Sequence, residues 1–293
     1  MGLRTTISER QRRLGFELKQ LREQAGLNAA EAAQRINMSR AQLSHIELGR
    51  TSVLTERLLE LCHTYGCADE PYVDALVSMS EATGKGWWSA HKKHLGSGAL
   101  NLAELEAQAA SLRMHESLFI PGLFQTADYA QAIFSSPKLG FENIGEAVKF
   151  RMERQHILTD KNPPSVHAVI HEAALHMRFG SVHVVREQLV RLIELARLPH
   201  VTIQIYPFSA QAYAALSGNF VHVIPSTPRL GTVVLDHATG TDYLREPEHL
   251  NEYSRLFERL AENALNPVDV SMAYGAHSVK DSLALIKHLL YTL

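Results

Sequence analysis

Along the first eighty positions, apolar residues recur every three or four residues, the period of an amphipathic helix. Leu14, Leu18, Leu21 and Ala25 form one stripe. Leu27, Ala32, Ala33, Ile36, Leu43 and Ile46 continue the inward set, and Leu54, Leu58, Leu59 and Leu61 supply a fourth helix. With residues 71–79 as a fifth, the pattern predicts a small core of five helices. The polar positions between them punctuate the helices. Asn28 is a preferred N-cap and Glu31 stands three residues later, so a short helix should run to about Arg35. Asn37 falls in the following turn, where it tolerates a left-handed backbone better than any residue except glycine. Ser39 caps the next helix with Gln42 at its N3 position, and Gly49 follows Leu48 where a terminating glycine belongs. Residues 28–35 and 39–48 therefore read as two helices joined by a tight turn.

Beyond residue 101 the pattern mixes both periods. Residues 102–112 predict a helix, and 117–120 a short strand broken by Pro121-Gly122. Thr126 caps a helix running to Phe134, 144–158 is helical, and Pro163-Pro164 ends that region. Residues 166–170 alternate as a strand and lead into a short helix, 172–176. A strongly amphipathic helix spans 184–197. Residues 201–206, 220–224 and 232–236 are strands with β-branched residues in alternation. Helices at 247–265 and 279–291 close the chain. The fold class is an all-α, five-helix N-terminal domain plus a larger α+β domain, a sheet of about five strands covered by helices. We divide the chain into residues 10–80, a connector at 81–100 with adjacent Trp87 and Trp88 as a docking anchor, and residues 101–293.

Composition adds bounds. The 293 residues suffice for two domains, and 45% hydrophobic with 20% charged residues is ordinary for a globular protein. No apolar run is long enough for a membrane span, and residues 1–8 lack the apolar stretch of a secretion signal. A cytoplasmic, nucleoid-associated location follows, with Cys62 and Cys67 as reduced thiols. Charge is split: residues 1–66 carry ten Lys/Arg and seven Asp/Glu, net +3, and the remainder is net −5. That excess is modest for neutralising phosphates, so a homodimer on a palindromic double-stranded operator is expected.

The outer face of helix 39–48 carries Arg40, Ala41, Gln42, Ser44 and His45. Arg suits the guanine edge, Gln the adenine edge, and an Ala methyl can meet thymine. Arg50 and Thr51 lie just past the helix, and Asn28 and Ser39 at helix starts, where phosphates are held. An ordinary helical hairpin would carry the same apolar pattern without this polar face. The stretch resembles the XRE family of helix-turn-helix regulators, of phage-repressor type. Its pattern is matched by Leu27, Ala33, Ser39, Leu43, Ser44, Glu47 and Gly49. The resemblance implies that Arg22 and Glu47 form a buried ion pair of the scaffold. Ala29 stands where a phosphate-binding Gln is common, and Ala32 where a core Leu is common. The first departure weakens backbone contact and the second loosens the core.

The second half resembles the C-terminal domain of WhiJ-like regulators of actinomycetes, a domain of unknown function. The matching segments are residues 120–130, 151–155, 172–175, 188–208, 216–220 and 240–243. The resemblance implies a regulator answering to a small protein from a neighbouring gene, a small-molecule effector, or both. Gln211 and Tyr213 depart from the Gly and His common there. Gln125, Thr126, Tyr129, Arg151, Arg154, Gln155 and Glu172 are polar residues inside apolar motifs. They form either a ligand or partner pocket, or a buried network in which Glu172 pairs one Arg. Sixteen histidines raise the question of metal. His91 and His94 share a helix face but lack further ligands, and His167, His171 and His176 spread over different faces. Asp236 and His237 point to opposite faces of a strand. With no nucleophile elbow and no phosphate loop, neither enzyme nor cofactor is expected. The expected function is a sequence-specific transcriptional regulator whose second domain senses and dimerises. The alternative is an antitoxin-like protein that sequesters a small partner and binds DNA to regulate itself.

Overall fold

Three of the first five helices begin with the same reciprocal cap. Ser8, Asn28 and Ser39 each accept a backbone N–H from the third helical residue, whose own side chain returns the bond. Those partners are Gln11, Glu31 and Gln42, so two otherwise orphaned donors are satisfied at each start. The computed structural model describes residues 4, 6–136, 142–210, 218–271 and 281–293. Gln211 and Tyr213 lie outside the described residues. The chain forms two compact units, Met1–Gly86 and Trp87–Leu293. Among the described residues no helix is long and apolar enough to cross a membrane.

The first unit holds α1 (Glu9–Gln24), α2 (Ala29–Arg35), α3 (Arg40–Glu47), α4 (Thr55–Thr64) and α5 (Glu70–Glu81). Leu18, Ala32, Ile36, Leu43, Leu58, Leu61, Tyr72 and Leu76 are completely buried between them. Each large apolar side chain contributes about 1.5–3 kcal/mol by leaving water. Three residues of the expected stripes turn outward instead: Ala25 ends α1, Leu54 precedes α4, and Leu59 sits opposite the buried Leu58–Leu61–Cys62 face. Asn37 takes the left-handed backbone expected of it, with φ +50°. Gly15 lets α1 lie directly on the end of α3, since a Cβ there would fall 2.3 Å from the Glu47 carbonyl oxygen. Beside it, Arg22 grips the Glu47 carboxylate through Nε (2.6 Å) and Nη2 (3.1 Å), and donates Nη1 to the Leu27 carbonyl at 2.8 Å.

In the second unit, residues expected as one helix from 102 to 112 divide between α6 (Ser97–Glu106) and β1 (Ala109–Glu116). Local propensity of the alanine-rich run favours helix, but Leu112 and Met114 are buried from the middle of the sheet, and pairing on both sides overrides it. Residues 117–120, expected as a strand, form a bend instead, held where Asn219 Oδ1 accepts from the Ser117 backbone N and Oγ. The other strands are β2 (Ser165–His171), β3 (Val201–Tyr206), β4 (Phe220–Pro225), β5 (Thr232–His237) and β6 (Gly240–Leu244). Their order is β3-β2-β1-β4-β5-β6. β1, β2 and β3 run parallel; β4 is antiparallel to β1, and β5 and β6 continue antiparallel. The sixth strand, too polar to announce itself, is a hairpin return from β5.

The remaining helices are α7 (Ala127–Phe134), α8 (Ile144–Arg154), α9 (Glu172–His176), α10 (Val182–Leu195), α11 (Pro247–Asn263) and α12 (Ser282–Thr292). Alternation along the strands supplies a core on each face. Leu112, Met114, Ala168, Ile170, Ile203 and Ile205 join residues of α7, α10 and α12 on one side. Val169, Tyr206, Phe220 and Val233 meet Leu250, Phe257 and Leu260 of α11 on the other. Trp88 is buried with Ala103 and Phe150, and Trp87 packs 5.0 Å from Phe150, so both tryptophans anchor within the second unit.

Candidate nucleic-acid interface and interior cavity

The caps that start α3 decide what its first turn presents. Ser39 Oγ accepts from the Gln42 backbone at 3.2 Å, and Gln42 Oε1 accepts from the Ser39 backbone at 3.0 Å. Gln42 therefore keeps only its Nε2 as an outward donor. Asn28 Oδ1 is likewise engaged, by the backbone N–H groups of Ala30 (2.9 Å) and Glu31 (3.0 Å). Arg40, Ala41 and Gln42 are exposed side by side, and Ser44 and His45 follow half-buried on the next turn. The Arg40 guanidinium makes no hydrogen bond or ion pair among the described residues. Past the helix, the backbones of Arg50 (2.8 Å) and Thr51 (3.3 Å) both donate to the His45 carbonyl, which folds this segment back against the end of α3. The Arg50 side chain is exposed and Thr51 half-buried.

The scaffold under this face consumes positive charge. Arg10, Arg13 and Arg22 are all buried. Arg10 donates to the Met79 carbonyl, Arg13 pairs with Glu17 at 2.9 Å, and Tyr72 Oη donates to the same Glu17 at 2.5 Å. Three of the ten cations in residues 1–66 are thus structural. Of those near α3, Arg35, Arg40 and Arg50 remain exposed.

The second unit carries an open cavity of about 480 Å³ where β1 ends, beside the start of β4 and the end of β5. Ile133 and Phe134 of α7, Phe220 and Val221 of β4 and Val234 of β5 form its apolar wall. Its polar groups are Glu116, Gln125, Arg151, Asn219, Asp236 and His237. The Arg151 guanidinium lies 5.1 Å over the Phe134 ring, in space that only a glycine at 122 leaves open: a Cβ there would come within 1.9 Å of Nη1. Burial lowers Arg151 to about 10, with Arg154 adding repulsion. Burial likewise raises the Glu116 carboxyl to about 8, against the pull of Arg151. Asp236 sits at the rim and accepts from Thr241 Oγ1 at 2.7 Å.

A family model described as a helix-turn-helix domain matches residues 13–76. A model described as a domain of unknown function (DUF5753) matches residues 100–273, more than half of the chain. The chain belongs to the DUF5753 family. No curated protein and no solved structure matches it. The helix-turn-helix match and the polar face of α3 mark the chain as a DNA-binding regulator.

Within the DUF5753 region the seven polar residues singled out from the sequence separate into three groups. Gln125 and Arg151 line the cavity. Thr126, Tyr129, Arg154 and Gln155 hold its wall together. Thr126 Oγ1 caps α7 by accepting from Tyr129 N, Tyr129 Oη accepts from Ile120 N, and Gln155 Nε2 bridges the carbonyls of Gly122 (3.1 Å) and Gln125 (2.7 Å). Arg154 forms a two-bond pair with Glu106 at 2.5 and 2.7 Å. Among the described residues Glu172 pairs with no arginine, contrary to the network reading. It starts α9 just after β2 and accepts from Phe208 N at 2.7 Å. The residues missed are Glu106, Glu116, Asn219 and Gln188, whose amide ties Thr126 N and the Phe124 carbonyl. Asp236 and His237 take different partners, Thr241 and Asp242. His91 is buried between Glu146 (3.5 Å) and Glu153 (2.8 Å), apart from any shared role with His94. Both cysteines are free thiols.

Proposed function

We propose that the protein is a cytoplasmic, non-catalytic transcriptional regulator of the WhiJ-like type. It binds a palindromic operator as a homodimer and adjusts that binding to a small effector held in its second domain. The observation that carries this reading is the first turn of α3, where Arg40, Ala41 and Gln42 stand exposed on a fully capped helix. In a helix-turn-helix the N-terminal half of the second helix meets base edges. Dimerisation is supported by the small supply of free cations: with three arginines committed to the scaffold, one copy has few phosphate contacts to offer. Effector binding is supported by a cavity whose walls are apolar and whose few polar groups converge, the usual make-up of a ligand site.

The test is Arg40→Ala on an operator located by genome-wide footprinting. Specific affinity should fall by about 1–3 kcal/mol, the worth of one bidentate contact, while the melting temperature stays unchanged. Normal operator affinity in that variant would remove α3 as the reading helix. Recovery of a stoichiometric small protein with the regulator from its native host would replace the small effector by a protein partner.

A further inference from the structure

We propose that the cavity binds a small organic carboxylate with an apolar body and an N–H or O–H donor next to the carboxylate, and that Arg151 holds the carboxylate. The inference rests on reading the second unit as the sensor and names what it senses.

Arg151 and Arg154 sit three residues apart on α8, yet their situations differ. Arg154 is matched by both oxygens of Glu106. The Arg151 guanidinium makes no hydrogen bond to any described residue, and no ion pair joins it to Glu116 or Asp236. Its place is nonetheless defined, 5.1 Å over the Phe134 ring and against Gly122. A planar fork of five N–H donors, oriented and unmatched at a cavity wall, suits a carboxylate with two parallel oxygens. Relief of its desolvation by an anion adds to the attraction.

The acceptors around it ask for the second feature. Gln125 is 4% exposed; its Nε2 donates to the Ile120 carbonyl at 2.7 Å, while its Oε1 is buried without a partner. Glu116 also makes no hydrogen bond to a described residue, and Asp236 adds a second carboxylate to the lining. A buried acceptor left unmatched is costly, and a ligand donor recovers that cost. The ring of Phe134 and the side chains of Ile133, Phe220 and Val234 accommodate the apolar body. The place is also the expected one. The cavity opens beyond the carboxyl end of β1, where parallel β2 lies on one side and antiparallel β4 on the other, so the sheet changes direction there.

Four matched probes test this on the full chain without DNA, by calorimetry and ligand-observed NMR at millimolar concentration: L-phenylalanine, 3-phenyllactate, 3-phenylpropanoate and L-phenylalaninamide. Phenylalanine or phenyllactate should bind about tenfold more tightly than phenylpropanoate, the effect of one recovered hydrogen bond. Phenylalaninamide should bind weakest, and Arg151→Lys should weaken the acids about tenfold by losing the fork. The wild-type comparison stands even where a variant misfolds. Equal binding of the amide, or no binding by any probe, overturns the proposal; equal binding of the plain acid overturns its donor half. The same preparations are then assayed on operator DNA. Binding of an acid with no change in operator affinity would refute the sensor reading while leaving the site intact.

Discussion

The two units treat buried charge in opposite ways. In the first, Arg22 is buried against Glu47 with its remaining Nη1 on the Leu27 carbonyl, and Arg13 against Glu17. The chemistry that faces outward, on α3, is separate from the chemistry that holds the fold. In the second unit Arg154 is closed off in the same manner, but among the described residues Arg151, Glu116 and the Oε1 of Gln125 have no hydrogen-bonded partner around a cavity. Buried polar groups with full partnerships stabilise one arrangement; those without carry a standing cost that a fold retains where it serves binding. Removing a charge should therefore have opposite consequences in the two units.

The largest effect is expected at Glu47. Glu47→Ala leaves the buried Arg22 guanidinium with only the exposed Glu23 carboxylate, 3.6 Å from Nη2, and should cost about 3 kcal/mol. Because both tryptophans lie in the second unit, their fluorescence reports that unit, and the loss should appear in helical circular dichroism at denaturant concentrations where the fluorescence is still native. A loss below about 1 kcal/mol would mean that the pair is not the clasp of the first unit, and the comparison would lose one of its halves.

The next effect belongs to the α11 face of the sheet. His115 and His222 are buried there, and burial lowers both from 6.5 to about 4. His115 Nδ1 bonds the Val169 carbonyl at 2.9 Å, and nearby Arg113 further disfavours charge on His222. The unfolded chain takes up protons near pH 6.5 that the native state refuses until pH 4. Stability is thus complete above about pH 6.5 and falls as pH drops toward 4, by about 2 kcal/mol per histidine between pH 7 and 5. Tryptophan-monitored denaturation at those two pH values measures it, and His222→Gln should halve the difference. A pH-independent midpoint would show that these rings already have access to water.

How much of this could be read beforehand follows from how far apart in sequence the partners lie. Asn28 with Glu31 and Ser39 with Gln42 are three residues apart, so the caps and the outward face of α3 were legible from the chain itself. Gly15 was not, because its importance lies in the approach of α1 to the backbone of Glu47, a tertiary fact with no local trace. β1 was hidden for a related reason: its alanine-rich start favours helix, and only β2 and β4 on either side make it a strand. The cavity combines Glu116 of β1, Arg151 of α8 and Asp236 of β5. Gln125 and Arg151 were recognisable as polar residues in apolar motifs. What could not be foreseen was which arginine would be satisfied, since Glu106 and Glu172 were equally available by composition and only the placement of α6 and α9 separates them.

The smallest and most discriminating change is Glu116→Gln. Burial keeps this carboxyl protonated up to about pH 8, whereas the unfolded chain ionises it near 4.5. The native state therefore holds an extra proton between those values. The corresponding stability is present below about pH 4.5 and is lost as pH rises through 8. Glutamine keeps the shape and has no proton to lose, so the variant should match the parent at pH 4.5 and exceed it at pH 9. With the partly buried position of Glu116 and solvent screening allowed for, the gain is about 1–2 kcal/mol, read as a higher melting temperature by tryptophan fluorescence. Glu47→Gln, the same change at a satisfied carboxylate, should destabilise the first unit across that whole range, because the Arg22 fork then faces a neutral amide. Opposite signs for one substitution at two buried glutamates would separate a carboxylate kept for the fold from one kept for a ligand. Equal signs would place Glu116 with Glu106 among the structural acids, and leave Arg151 and the Oε1 of Gln125 as the cavity groups that call for a partner from outside.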